Sequence, residues 1–166
     1  MFLECKQLFD IPGEKKEFDY SLDLSDVELF SSKPFQSPVS VRGIAENRAQ
    51  IVSLKLDCSF VMNLACDRCL ADLERSFEEH FSHILVRELS SDEDDGGDYI
   101  VVEGDTLDLD ELILSDILLN LPTKFLCRED CKGLCPSCGK NLNFDSCECQ
   151  KKQVDPRLAK LSELLK

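Results

Sequence analysis

Six of the ten cysteines fall within residues 127–149: Cys127, Cys131, Cys135, Cys138, Cys147 and Cys149. The centre of this run is Cys135-Pro136-Ser137-Cys138-Gly139. Two thiolates two residues apart can grip one cation while the chain turns tightly. The glycine gives the backbone freedom where its amides must approach the sulfurs. Soft thiolates in tetrahedral array suit Zn²⁺, with Zn–S near ~2.3 Å. The segment has little else to fold around, since only Leu134, Leu142 and Phe144 are available to bury. A structural ion would supply what that carbon cannot. The expectation is one structural Zn²⁺. Cys135 and Cys138 are its surest ligands, and the second pair is open between Cys127/Cys131, Cys147/Cys149 or one from each. An iron–sulfur cluster or free thiols are the alternatives. A catalytic zinc does not fit, because the tail has no histidine and nothing to hold an open, water-bearing position.

A second doublet, Cys66-Asp67-Arg68-Cys69, lies far upstream. It reads as a turn closing a long strand, or as part of a partner or metal surface formed by Cys66, Arg68 and Cys69. A thiol oxidoreductase built on Cys66/Cys69 is a third reading, but that chemistry belongs at a strand-to-helix junction, whereas strands are expected on both sides here. Cys5 and Cys58 read as ordinary core or surface thiols. His80 and His83 sit three apart in a strand-like run, on opposite faces, and form no metal pair. There is no phosphate-binding glycine loop and no Ser/His/Asp grouping. The chain is not expected to be an enzyme.

The elements that must position these residues follow from periodicity. Phe18, Tyr20, Leu22 and Leu24 alternate with polar partners, and Val39, Val41 and Gly43 do likewise. Residues 51–65 place Val52, Leu54, Leu56, Cys58, Phe60, Met62 and Leu64 on one side, which predicts one long strand. A second long run through Phe77, Phe81 and Leu85 is expected to return antiparallel. Residues 90–98 contain five acids and two glycines with no apolar residue, and read as a mobile acidic loop. Tyr99–Val102 reads as a short strand. Residues 109–121 predict a helix capped by Asp108 or Asp110 and stopped by Pro122. Asp155-Pro156 opens a terminal helix over 156–165. The fold class expected is α+β: a mainly antiparallel β body with one packed helix over residues 1–123, then a small Cys-rich zinc-binding tail with a terminal helix over 124–166.

The formal net charge is −14, with 33 acids against 19 bases. Residues 1–123 carry 10 Lys/Arg and 27 Asp/Glu, whereas 124–166 carry 9 and 6. The body should repel phosphate backbones and attract basic partners. One tetrathiolate zinc would reduce the tail from +3 to about +1, so RNA contact there would be local. The candidates for it are Lys132, Lys140, Lys151, Lys152 and Arg157, with Lys124 and Arg128 beside them. No run approaches the ~18 apolar residues of a membrane span, and the first ten residues carry acids where a secretory leader would carry bases, so a cytoplasmic location is expected.

Five motifs, taken together, resemble the YceD-like family of large ribosomal RNA subunit accumulation proteins. They are Cys66-Asp67-Arg68-Cys69-Leu70, the stretch 108–122 (DLDELILSDILLNLP), the string 131–143 (CKGLCPSCGKNLN), Cys147-Glu148-Cys149, and Asp155-Pro156-Arg157-Leu158-Ala159. The resemblance implies a role in accumulation or processing of large-subunit ribosomal RNA, and so in ribosome assembly. The partner expected is a ribosomal protein or assembly factor of the large subunit, with precursor ribosomal RNA as a further one; neither a membrane nor a small-molecule substrate is expected. The leading reading is a non-enzymatic adaptor. The alternative is a zinc-dependent module acting by direct RNA contact, which strong salt dependence would reveal.

Overall fold

The computed structural model describes residues 1–29, 32–88 and 99–149. The chain divides into two units. The first comprises Met1–Leu64 and Asp72–Phe125; the second comprises Ala65–Ala71 and Leu126–Lys166. Residues 65–71, which periodicity alone assigns to the β body, thus belong with the Cys-rich tail.

The first unit is α+β. Strands β1 (Phe2–Glu4), β2 (Lys15–Leu22), β3 (Val39–Arg48), β4 (Ile51–Ala65), β5 (Asp72–Val86), β6 (Tyr99–Val101) and β7 (Thr106–Asp108) accompany helices α1 (Lys6–Asp10) and α2 (Leu109–Asn120). β2 to β6 form a five-stranded sheet in sequential order, while β1 and β7 pair separately as an antiparallel ribbon. β2 and β3 are antiparallel, as are β3 and β4; β6 runs parallel to β5, with Leu85 opposite Ile100. The antiparallel pattern expected from sequence holds across β2, β3 and β4, whereas β6 runs parallel to β5. The elements β1, α1 and β7 are too short to impose a period, and none was expected.

β4 shows why the sheet has one dry face. Val52, Leu54, Leu56, Cys58, Phe60, Met62 and Leu64 are all buried, and the residues between them are not. α2 enters this core through Leu109, Ile113 and Ile117. Its start is fixed by Asp108, whose carboxylate accepts from the Asp110 amide at 3.0 Å, and the helix ends at Asn120, ahead of Pro122. Asp116 on the same helix is buried, and His83 Nε2 meets its Oδ2 at 2.8 Å. Tyr20 donates to Asp110 Oδ1 at 2.8 Å and ties β2 to the helix.

Gly43 has a packing reason. A Cβ there would lie 2.2 Å from the Phe18 ring, which covers the glycine across the β2–β3 ladder. Cys5 and Cys58 are buried in this unit, and burial pushes their thiols up to about 11 and about 12. Both are inert core residues. No helix among the described residues is long and apolar enough to cross a membrane. The acidic stretch 90–98 and the terminal helix 156–165 expected from sequence lie outside the described residues.

Candidate metal centre

The six tail cysteines divide between two groups instead of competing for one site. Cys135, Cys138, Cys147 and Cys149 form one; Cys127 and Cys131 form the other together with Cys66 and Cys69. Within each group the sulfurs all lie within 4.8 Å of one another. Either group could hold a metal ion. In sequence the signal was the arrangement of eight cysteines as four close doublets, enough for two sets of four. What hid it was the distance in the chain between Cys69 and Cys127.

The downstream group is built on a short hairpin. Leu134 and Asn141 bridge antiparallel, the Cys135 amide donates to the Lys140 carbonyl at 2.8 Å, and the Gly139 amide donates back to the Cys135 carbonyl at 2.9 Å. Gly139 takes φ +73°, which a glycine adopts freely. The turn aims the Cys138 and Ser137 amides at the Cys135 sulfur and brings its thiol down to about 6. Cys149, facing the sulfurs of Cys138 and Cys135, is pushed up to about 12. Cys135 is buried, whereas Cys138 and Cys149 are exposed.

The upstream group is deeper. Cys66, Cys69 and Cys131 are buried and Cys127 is exposed. Cys66 Sγ lies 3.9 Å from Cys131 Sγ, and Cys69 Sγ lies 3.6 Å from Cys127 Sγ. Burial raises the Cys66 thiol, but amides of Cys127, Cys69 and Arg68 outweigh it and leave the group down at about 6. Burial, reinforced by the thiols of Cys131, Cys69 and Cys66, pushes Cys127 up to about 12. In both groups, then, one sulfur is held as thiolate while another stays protonated. Four sulfurs this close cannot all ionise without a cation between them.

The surrounding polar groups brace these sulfurs. Asn143 Nδ2 donates to Cys131 Sγ at 3.3 Å, while its Oδ1 accepts from the Lys132 amide at 2.7 Å and from Arg128 at 3.0 Å. Arg68 donates to the Cys131 carbonyl at 2.7 Å, and its own carbonyl accepts from the Leu134 amide at 3.0 Å. Arg68, considered from sequence as a partner-binding residue together with Cys66 and Cys69, is here a strut between the segment 65–71 and the tail. Lys132 and Lys140 are exposed, and Lys151, Lys152 and Arg157 lie outside the described residues. The sulfurs of Cys66 and Cys69, considered from sequence as a redox couple, are buried beside those of Cys131 and Cys127.

Residues 54–165 match the family described as large ribosomal RNA subunit accumulation protein YceD. The chain belongs to the YceD family. The matched span includes all eight clustered cysteines and α2. The chain is 36% identical over 162 residues to the uncharacterized protein YlbN of Bacillus subtilis, covering 96% of this chain and 94% of that one. It is 32% identical over 105 residues to the uncharacterized protein Rv2926c of Mycobacterium tuberculosis, covering 60% of this chain and 49% of that one. A protein of Arabidopsis thaliana named large ribosomal RNA subunit accumulation protein YCED homolog 1, chloroplastic, is 25% identical over 132 residues, covering 63% of this chain and 41% of its own length. No solved structure matches the chain.

Proposed function

We propose that this protein is a non-enzymatic, cytoplasmic factor that supports accumulation of large-subunit ribosomal RNA as an adaptor in ribosome assembly. The observation that carries this is the family match over residues 54–165, whose description names large-subunit ribosomal RNA. Charge suggests the division of labour. The segments of the first unit, 1–64 and 72–125, carry ten Lys/Arg against 26 Asp/Glu, a surface suited to a basic ribosomal protein or assembly factor. The second unit carries nine Lys/Arg against seven Asp/Glu. One structural Zn²⁺ on Cys135, Cys138, Cys147 and Cys149 would cancel that excess of +2. Contact through protein is therefore favoured over direct contact with phosphate backbones.

Depletion of the protein tests the reading. The expected result is a fall in the ratio of large- to small-subunit ribosomal RNA, with ribosomal proteins or assembly factors retained when the tagged protein is purified under native conditions. An unchanged ratio together with recovery of no ribosomal component would contradict it.

A further inference from the structure

Among the described residues of the second unit, every buried hydrophobic side chain is a cysteine: Cys66, Cys69, Cys131 and Cys135. Of its larger carbon side chains, Leu126, Leu134 and Leu142 are only half-buried, and Leu70 and Phe144 are 66% and 84% exposed. Among these described residues no carbon side chain is fully buried, and sulfur in that position is useful chiefly as a ligand.

The segment Cys66–Ala71 repeats the backbone of the downstream knuckle. The Cys66 amide donates to the Ala71 carbonyl at 2.8 Å, as Cys135 does to Lys140, and the Leu70 amide donates to the Cys66 carbonyl at 2.9 Å, as Gly139 does to Cys135. The fifth residue has positive φ in both, +57° at Leu70 and +73° at Gly139. Leucine disfavours that conformation and gains no burial here, so the turn itself must be what holds it. The sulfur spacing agrees. A tetrahedron with corners ~2.3 Å from its centre has edges of about 3.8 Å. The Cys66–Cys131 and Cys69–Cys127 separations of 3.9 and 3.6 Å lie on either side of that length. Each of these edges joins the segment 65–71 to the tail.

We propose that Cys66, Cys69, Cys127 and Cys131 bind a second structural Zn²⁺, so that the protein carries two ions, and that this ion staples the segment between β4 and β5 to the tail. The inference is independent of the ribosomal reading, since it stands on metal content alone. It has two consequences. The inner ion, behind three buried sulfurs, exchanges more slowly than the outer one, which has exposed Cys138 and Cys149 among its ligands. With both ions bound, the second unit's +2 becomes about −2, which strengthens the case for a basic protein partner over RNA.

Native mass spectrometry and cobalt substitution of the full-length protein test this. The wild type is expected to hold two Zn²⁺ per chain, and a thiol-reactive mercurial should release them in two phases. Replacing zinc by Co²⁺ should give tetrahedral spectra of two all-thiolate sites. Cys69→Ser should lose one ion. Cys69→His, which keeps four donors, should retain two and shift the d–d bands of one site toward higher energy, a signature that a misfolded variant would not give. One ion in the wild type, or two in Cys66→Ser/Cys69→Ser with unchanged cobalt spectra, would overturn the proposal. Because none of these readouts involves ribosomal RNA, failure here leaves the functional reading intact, and the reverse also holds.

Discussion

The two units solve the same problem with different materials. In the first, a fifteen-residue strand buries seven alternating side chains in a core it shares with α2, and Phe35, Leu54, Met62, Ile113 and Ile117 fill the interior. Hydrophobic burial of that extent offsets the entropy of ordering the chain. The described residues of the second unit bury no large carbon side chain fully, and leave Leu70 and Phe144 in solvent. There the buried sulfurs of Cys66, Cys69, Cys131 and Cys135 form the interior, braced by Asn143 and Arg68. A fold can be specified by carbon area or by a few ligands in fixed directions, and one chain here contains a core of the first kind and two candidate sites for the second.

The sharpest way to break this comparison is to remove ligands from one side only. Cys135→Ser/Cys138→Ser should abolish the outer site, with a loss comparable to the ~10–16 kcal/mol apparent affinity of structural zinc. Amide resonances of 132–149 should collapse toward random-coil positions while those of β3 and β4 hold. If the whole spectrum collapses, the units are not separately held. From the other side, Phe35→Ala should cost about 3–5 kcal/mol and lower the melting temperature of the sheet, leaving metal content unchanged.

Smaller changes refine it. Gly43→Ala should cost about 1–3 kcal/mol, because the new methyl group displaces the Phe18 ring. Denaturant unfolding measures it, and a neutral result would mean that the ring moves freely. The least effect, and of opposite sign, is expected at the upstream knuckle. Leu70→Gly relieves a positive φ and should stabilise the second unit by roughly 0.5–1 kcal/mol, read as slower zinc release to a chelator. Faster release would show that the leucine side chain has a packing role.

The legibility of the sequence follows the same divide. β4 and α2 could be read because each imposes a period long enough to be unmistakable, and Asp108 and Pro122 mark the ends of the helix. β1, α1 and β7 could not, being three to five residues long and stabilised by what they meet in space. The candidate metal ligands were legible by type. Pairing them required knowing that Cys66 and Cys69 return to Cys127 and Cys131, a relation that spacing along the chain does not encode. Both Cys135–Gly139 and Cys66–Cys69 read as turns, but only the glycine announced the positive φ that Leu70 shares with Gly139.

Residue-resolved hydrogen exchange, with and without a strong zinc chelator under reducing conditions, tests the central claim most directly. The account predicts that chelation abolishes protection at the Cys66, Leu70, Cys135 and Gly139 amides while the amides of β3, β4 and α2 keep theirs. Unaltered protection in the second unit after complete metal removal would contradict it.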